Sequence, residues 1–89
     1  MTTNLLSKKQ KTAIYWLHYM QYNYPKALAE HMDIKEKEAE KMIRDLEDKG
    51  FISVEERDGS IYGSKLTAKG LKFWEKFIKE DPLAEELGY

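Results

Sequence analysis

Apolar positions recur at helical spacing in the first half of the chain, switch to the alternation of strands near residue 51, and return to helical spacing near residue 70. Ala13, Ile14, Leu17 and Met20 mark one stripe, widened by Tyr15, Trp16 and Tyr19, with Tyr22 at its end. Ser7 followed by Gln10 forms a capping box ahead of it, so the pattern predicts a first helix over about 7–22. Asn23, Tyr24 and Pro25 interrupt it. Pro25 suits the first position of a second, short helix over about 25–31, where its missing N–H is not needed.

Met32, Asp33 and Ile34 then predict a tight turn, and Asp33 with Glu36 repeats the capping logic for a third helix over about 35–49. Ala39, Met42, Ile43 and Leu46 fall at i, i+3, i+4 and i+7 and form its buried stripe. Gly50 suits a left-handed helix stop. Phe51, Ile52 and Val54 open a strand, Asp58-Gly59 is a hairpin turn signal, and Ile61, Tyr62 and Leu66 lie on or just after the returning strand. Thr67 caps a fourth helix, weakened early by Gly70, whose apolar set is Leu71, Trp74, Phe77 and Ile78. Asp81-Pro82 reads as a cap and first residue of a last short turn with Leu83 and Leu87.

The order is helix, short helix, turn, helix, hairpin, helix. This predicts a mainly α fold with a small β-hairpin, a winged helix-turn-helix domain with the hairpin as wing. The residues at the joints resemble the multiple-antibiotic-resistance-repressor type of regulator and neighbouring winged-helix families. The matching positions are Leu28, Ala29 and Glu30, then Leu46, Glu47, Asp48, Lys49 and Gly50, then Leu66, Thr67, Ala68, Lys69 and Gly70. The resemblance covers about residues 25–71, and the flanking helices only by order. It implies DNA binding, with the second helix braced on phosphate, the third in the major groove and the wing at the minor groove. Carried onto this chain, the base-facing positions are Lys35, Glu36, Lys37, Glu38, Glu40 and Lys41, and the wing tip is Glu56 to Ser60 with Arg57 as its basic residue. The family usually places serine, threonine and arginine on that helix and arginine after the wing aspartate, where this chain has Gly59 and Ser60.

Charge sharpens the question. The net charge is -1, yet residues 1–26 hold four lysines and no acid, whereas residues 35–50 hold six acids against five bases. DNA is a polyanion, and three glutamates within a short span (Glu36, Glu38, Glu40) are hard to use as base readers even though a carboxylate accepts from cytosine N4. Lys35, Lys37 and Lys41 therefore read either as phosphate and base contacts or as a solvated face of mixed charge. Lys26, beside the free N–H groups at the start of the second helix, is a further phosphate candidate. The rival function is a winged helix used for protein contact, including an acidic DNA mimic that inhibits a nucleic-acid enzyme.

Length fits one domain over residues 1–89. Cysteine is absent, which excludes disulfides and thiol chemistry, and no apolar run approaches the roughly 20 residues of a membrane span. The start lacks the order of a secretory signal, so a cytoplasmic protein with no membrane partner is expected. His18 and His31 stand apart from any ligand cluster, and no phosphate loop or nucleophile motif is present, so neither a cofactor nor an enzyme is expected. The aromatic run YWLHYMQYNY suits core packing and a homodimer seam better than a base-stacking platform, which usually lies on a sheet beside a basic groove. Trp74, Phe77, Leu83 and Leu87 suit either the other half of that seam or packing within the chain. Double-stranded DNA and a second copy of the chain are the expected partners, with a protein partner as the rival.

Overall fold

The computed structural model describes residues 6–19 and 24–88. Five helices and one hairpin follow in the order α1 (Lys8–Tyr19), α2 (Pro25–Met32), α3 (Glu36–Asp48), β1 (Ile52–Arg57), β2 (Ser60–Leu66), α4 (Ala68–Glu80) and α5 (Pro82–Glu86). This is the predicted winged helix-turn-helix order. The expected last turn of the first helix, with Met20 and Tyr22, lies outside the described residues.

Most helix ends are set by local chemistry. Ser7 and Gln10 close a reciprocal box at the start of α1: the Gln10 N–H donates to Ser7 Oγ at 3.1 Å and the Ser7 N–H to Gln10 Oε1 at 3.0 Å. Pro25 begins α2, and the Thr67 and Asp81 side chains accept backbone N–H bonds at the starts of α4 and α5. Gly50, at φ +84°, ends α3 with the paired bonds of a Schellman motif, Gly50 N–H to Glu47 O and Phe51 N–H to Leu46 O. Asp33 departs from expectation. It does not cap α3, whose first position follows Lys35 with no side-chain cap; instead it adopts the left-handed conformation, φ 56° and ψ 50°, that closes α2. Its N–H and that of Ile34 both reach the Ala29 carbonyl, which makes the tight helix-turn-helix bend. Aspartate tolerates this region better than most residues, so one side chain suited two roles and the turn took it.

The wing is an antiparallel pair whose turn has Asp58 and Gly59 both at positive φ, the conformation that matches strand twist. Ile52 pairs with Leu66 and Glu55 with Gly63, but Glu56 pairs with Ile61, so Tyr62 is an extra residue and the ladder bulges there.

Burial explains how the parts hold together. Ala13, Ile14 and Leu17 of α1 pack with Leu28 and Ala29 of α2, the four-residue stripe of α3, and Phe51, Ile52 and Ile61 of the hairpin. On the other side of α1, Tyr15 joins Phe77, Leu83 and Ala84, with Trp16 and Phe73 touching both clusters. α1 is thus the shared wall of two small cores. Gly70 is not a weak point in α4 but a close approach: a Cβ there would lie 2.0 Å from the Phe51 carbonyl oxygen.

Candidate nucleic-acid interface

α3 buries Ala39, Met42, Ile43 and Leu46, and at 3.6 residues per turn its opposite side carries Lys37, Lys41, Arg44 and Asp48. Lys37 and Lys41 are exposed and Arg44 is half-buried, so the outer crest of the helix is basic along its first two turns and beyond. The acids that interleave in sequence separate in space. Glu36, Glu40 and Glu47 lie on the flank toward the wing, and Glu38 and Asp45 on the flank toward α1.

Three of those five flanking charges have a cation within 4 Å. Glu38 accepts a hydrogen bond from Lys9 Nζ at 2.8 Å, one end of α1 reaching across to α3. Arg44 lies 3.9 Å from both Glu40 and Glu47, and its Nη2 donates to Glu56 Oε1 of the wing at 2.7 Å. That bond, more than the desolvation opposing it, raises Arg44 above its ordinary range and holds the Glu56 carboxyl below its own. Glu56 reaches α3 because it continues the strand phase of Ile52 and Val54, which face the core that α3 shares.

Lys35, Glu36, Lys37 and Lys41 are all exposed, Lys37 and Lys41 on the crest and Glu36 on the flank toward the wing, whereas Glu38 is turned aside onto α1. Lys26 is exposed at the second position of α2 and lines a shallow cleft with Glu36, Glu40 and Ser60, which joins the start of α2, α3 and the wing. Arg57 is on the wing, its guanidinium 5.2 Å from the ring centre of Tyr62, the bulged residue. Arg44 was not among the expected site residues, although its position seven residues after Lys37 places it on the same crest.

The two histidines pack rather than gather ligands. His18 lies against Trp74 at 3.8 Å between ring centres, and His31 lies against Trp16 at 5.0 Å with Nδ1 3.0 Å from the Ala27 carbonyl. Of the residues suited to a seam between chains, Phe77 and Leu83 are buried within the chain against Tyr15. Among the described residues no helix is long and apolar enough to cross a membrane.

No protein-family model and no curated protein matches the sequence. Solved structures do. The transcriptional regulator SlyA superposes with a TM-score of 0.76 at 20% identity, over 92% of this chain and 59% of that one. FabT of Streptococcus pneumoniae, in complex with DNA, gives 0.76 at 17% identity over 91% and 58%. ZitR of Lactococcus lactis, also in complex with DNA, gives 0.73 at 18% identity over 96% and 60%. The chain spans about three-fifths of the length of these structures. These neighbours are winged-helix regulators of the multiple-antibiotic-resistance type, and this chain has their fold, the one its sequence resemblance implied.

Proposed function

We propose that the chain is a DNA-binding transcriptional regulator that lays α3 in the major groove and the wing, residues 55–61, against the adjacent minor groove. The observation that carries this reading is the basic crest of α3: Lys37, Lys41 and Arg44 face outward while the glutamates lie on the flanks. A major groove admits one helix, and it meets the crest first. Lys35 before α3, Lys26 at the start of α2 and Arg57 on the wing extend the cationic contacts to the phosphates on either side, with Glu36 at the edge of the helix that faces bases. An acidic mimic would need its carboxylates on the crest, and Asp48 alone stands there, at the far end of the helix. Structures of FabT and ZitR with DNA support the same reading. A cytoplasmic homodimer belongs to this proposal, two copies of α3 meeting successive turns of one duplex face. Tyr19, 57% exposed at the end of α1, is an aromatic available to such a seam.

Binding of the full chain to a pool of random-sequence duplexes at two salt concentrations tests the reading. Saturable binding with a steep salt dependence is expected. Lys37→Ala and Lys41→Ala should each weaken it several-fold and lower the salt slope by about 0.9, the contribution of one phosphate contact. A chain that binds no duplex at low salt would refute the proposal.

A further inference from the structure

Among the described residues, Arg44 is the one crest cation held by anions. Its guanidinium stands within 4 Å of three carboxylates, Glu40, Glu47 and Glu56, and the tightest of them, at 2.7 Å, comes from the wing rather than from its own helix. A pair that only tied the wing to α3 would be complete with Glu56. The two glutamates of α3 add a surplus of negative charge around an arginine that lies in line with Lys37 and Lys41.

We propose that Glu56 is an internal stand-in for a DNA phosphate: it occupies Arg44 in the free chain and yields it to the duplex backbone on binding. The inference rests on the regulator reading above and adds what holds Arg44 before a duplex arrives. The exchange is chemically matched, since a guanidinium accommodates carboxylate and phosphate in the same planar fork. It is also accessible, because both side chains are partly open to solvent, Arg44 at 34% and Glu56 at 43%, where an ion pair is held only weakly. Handing Arg44 to DNA frees the wing from α3 at the bulge around Tyr62, the point where the ladder is already irregular. Glu56 thereby lowers affinity for any duplex that does not bring a phosphate to Arg44, and acts as a specificity residue without touching a base.

Duplex titrations of the wild type, Glu56→Gln, Arg44→Ala and the double variant test this, with thermal melts confirming that all four fold. Glu56→Gln should tighten binding to the random pool by about five- to tenfold and steepen the salt slope by up to about 0.9. In the Arg44→Ala background the same change should tighten it by less than about twofold, since there is then no arginine to release. Equal gains in both backgrounds would show Glu56 to be a plain repulsive charge, and weaker binding by Glu56→Gln would show the pair to be a brace; either result overturns the proposal. If the wild type binds with a steep salt slope and Glu56→Gln is unchanged, the exchange alone fails. If neither chain binds any duplex, the regulator reading fails and takes the exchange with it.

Discussion

The apolar cores behind α1 and the outer edges of α3 and the wing are held by different physics. Toward α4 and α5, Tyr15 meets Phe77 edge-on at 6.3 Å, Phe73 stacks on Phe77 at 6.0 Å, and Leu83 and Ala84 close the cluster. Toward the solvent edges of α3 and the wing, the side-chain ties are ionic: Lys9 to Glu38 and Arg44 to Glu56. Apolar burial is not screened by salt and has no alternative partner, whereas an exposed ion pair is screened and accepts another anion in place of its own. A helix that reads DNA needs a rigid back and an exchangeable front. Here α3 has both, its apolar stripe within the main core and its charged crest outside it.

The sharpest way to break this division is at the joint between the two sides. Gly70 of α4 packs on the carbonyl of Phe51, which itself accepts the Thr67 N–H at 3.0 Å. Alanine normally improves a helix interior over glycine by about 1 kcal/mol. Here its Cβ would fall 2.0 Å from a backbone oxygen and 3.2 Å from Leu66 Cβ, so the hairpin or α4 must shift. Gly70→Ala should therefore reverse the usual sign and destabilise the chain by about 3 kcal/mol in urea unfolding. A variant as stable as the wild type would mean that α4 is not seated against the hairpin.

A smaller effect belongs to the aromatic side and to the tighter of the ion pairs at its edge, Lys11 with Asp81. Asp81 accepts the Leu83 N–H at 3.0 Å and the Lys11 ammonium at 3.0 Å, and the backbone bond first, the lysine second, holds its carboxyl below the ordinary value of 3.8. Asp81→Ala should cost about 1 kcal/mol. A lowered carboxylate stabilises the fold above its unfolded value and loses that contribution as pH falls through the folded one. The gap between variant and wild type should therefore be constant near neutrality and close below about pH 4. A gap that persists at pH 2 would assign the loss to packing instead of charge.

The elements whose ends carry a local signal were legible in the sequence, since the capping residues act within four positions of themselves: Ser7 on Gln10, Thr67 on Gly70, Asp81 on Leu83. Asp33 was misread because its side chain suits a cap and its backbone tolerates a left-handed turn, and only the tertiary bend decides between them. Gly70 looked like a flaw because the carbonyl it clears belongs to Phe51, far away in sequence. The site divided in the same way. Lys37 and Lys41 were visible as exposed positions, but the separation of acids from bases appears only when the residues are placed around the helix axis. Lys9, the partner of Glu38, is 29 residues away, and Glu56, the tightest partner of Arg44, is 12 away, and neither carries a local mark.

The smallest expected effect sharpens the comparison most, because it sets two lysines of one helix against each other. Lys11 faces the aromatic side, its side chain 33% exposed beside Asp81; Lys9, two residues earlier, is 65% exposed and reaches Glu38 on α3. An exposed pair of the second kind contributes at most a few tenths of a kcal/mol, so Lys9→Ala should leave the unfolding midpoint almost unchanged. Its consequence lies in binding. Without Lys9 the Glu38 carboxylate stands unscreened beside the groove, and affinity for duplex DNA should drop by about two- to threefold at low salt. Adding Glu38→Gln should restore it, because the net charge of that flank then equals that of the unaltered chain. Failure of the second change to restore binding would mean that Lys9 itself touches phosphate, and the cationic surface would then extend from α3 onto α1.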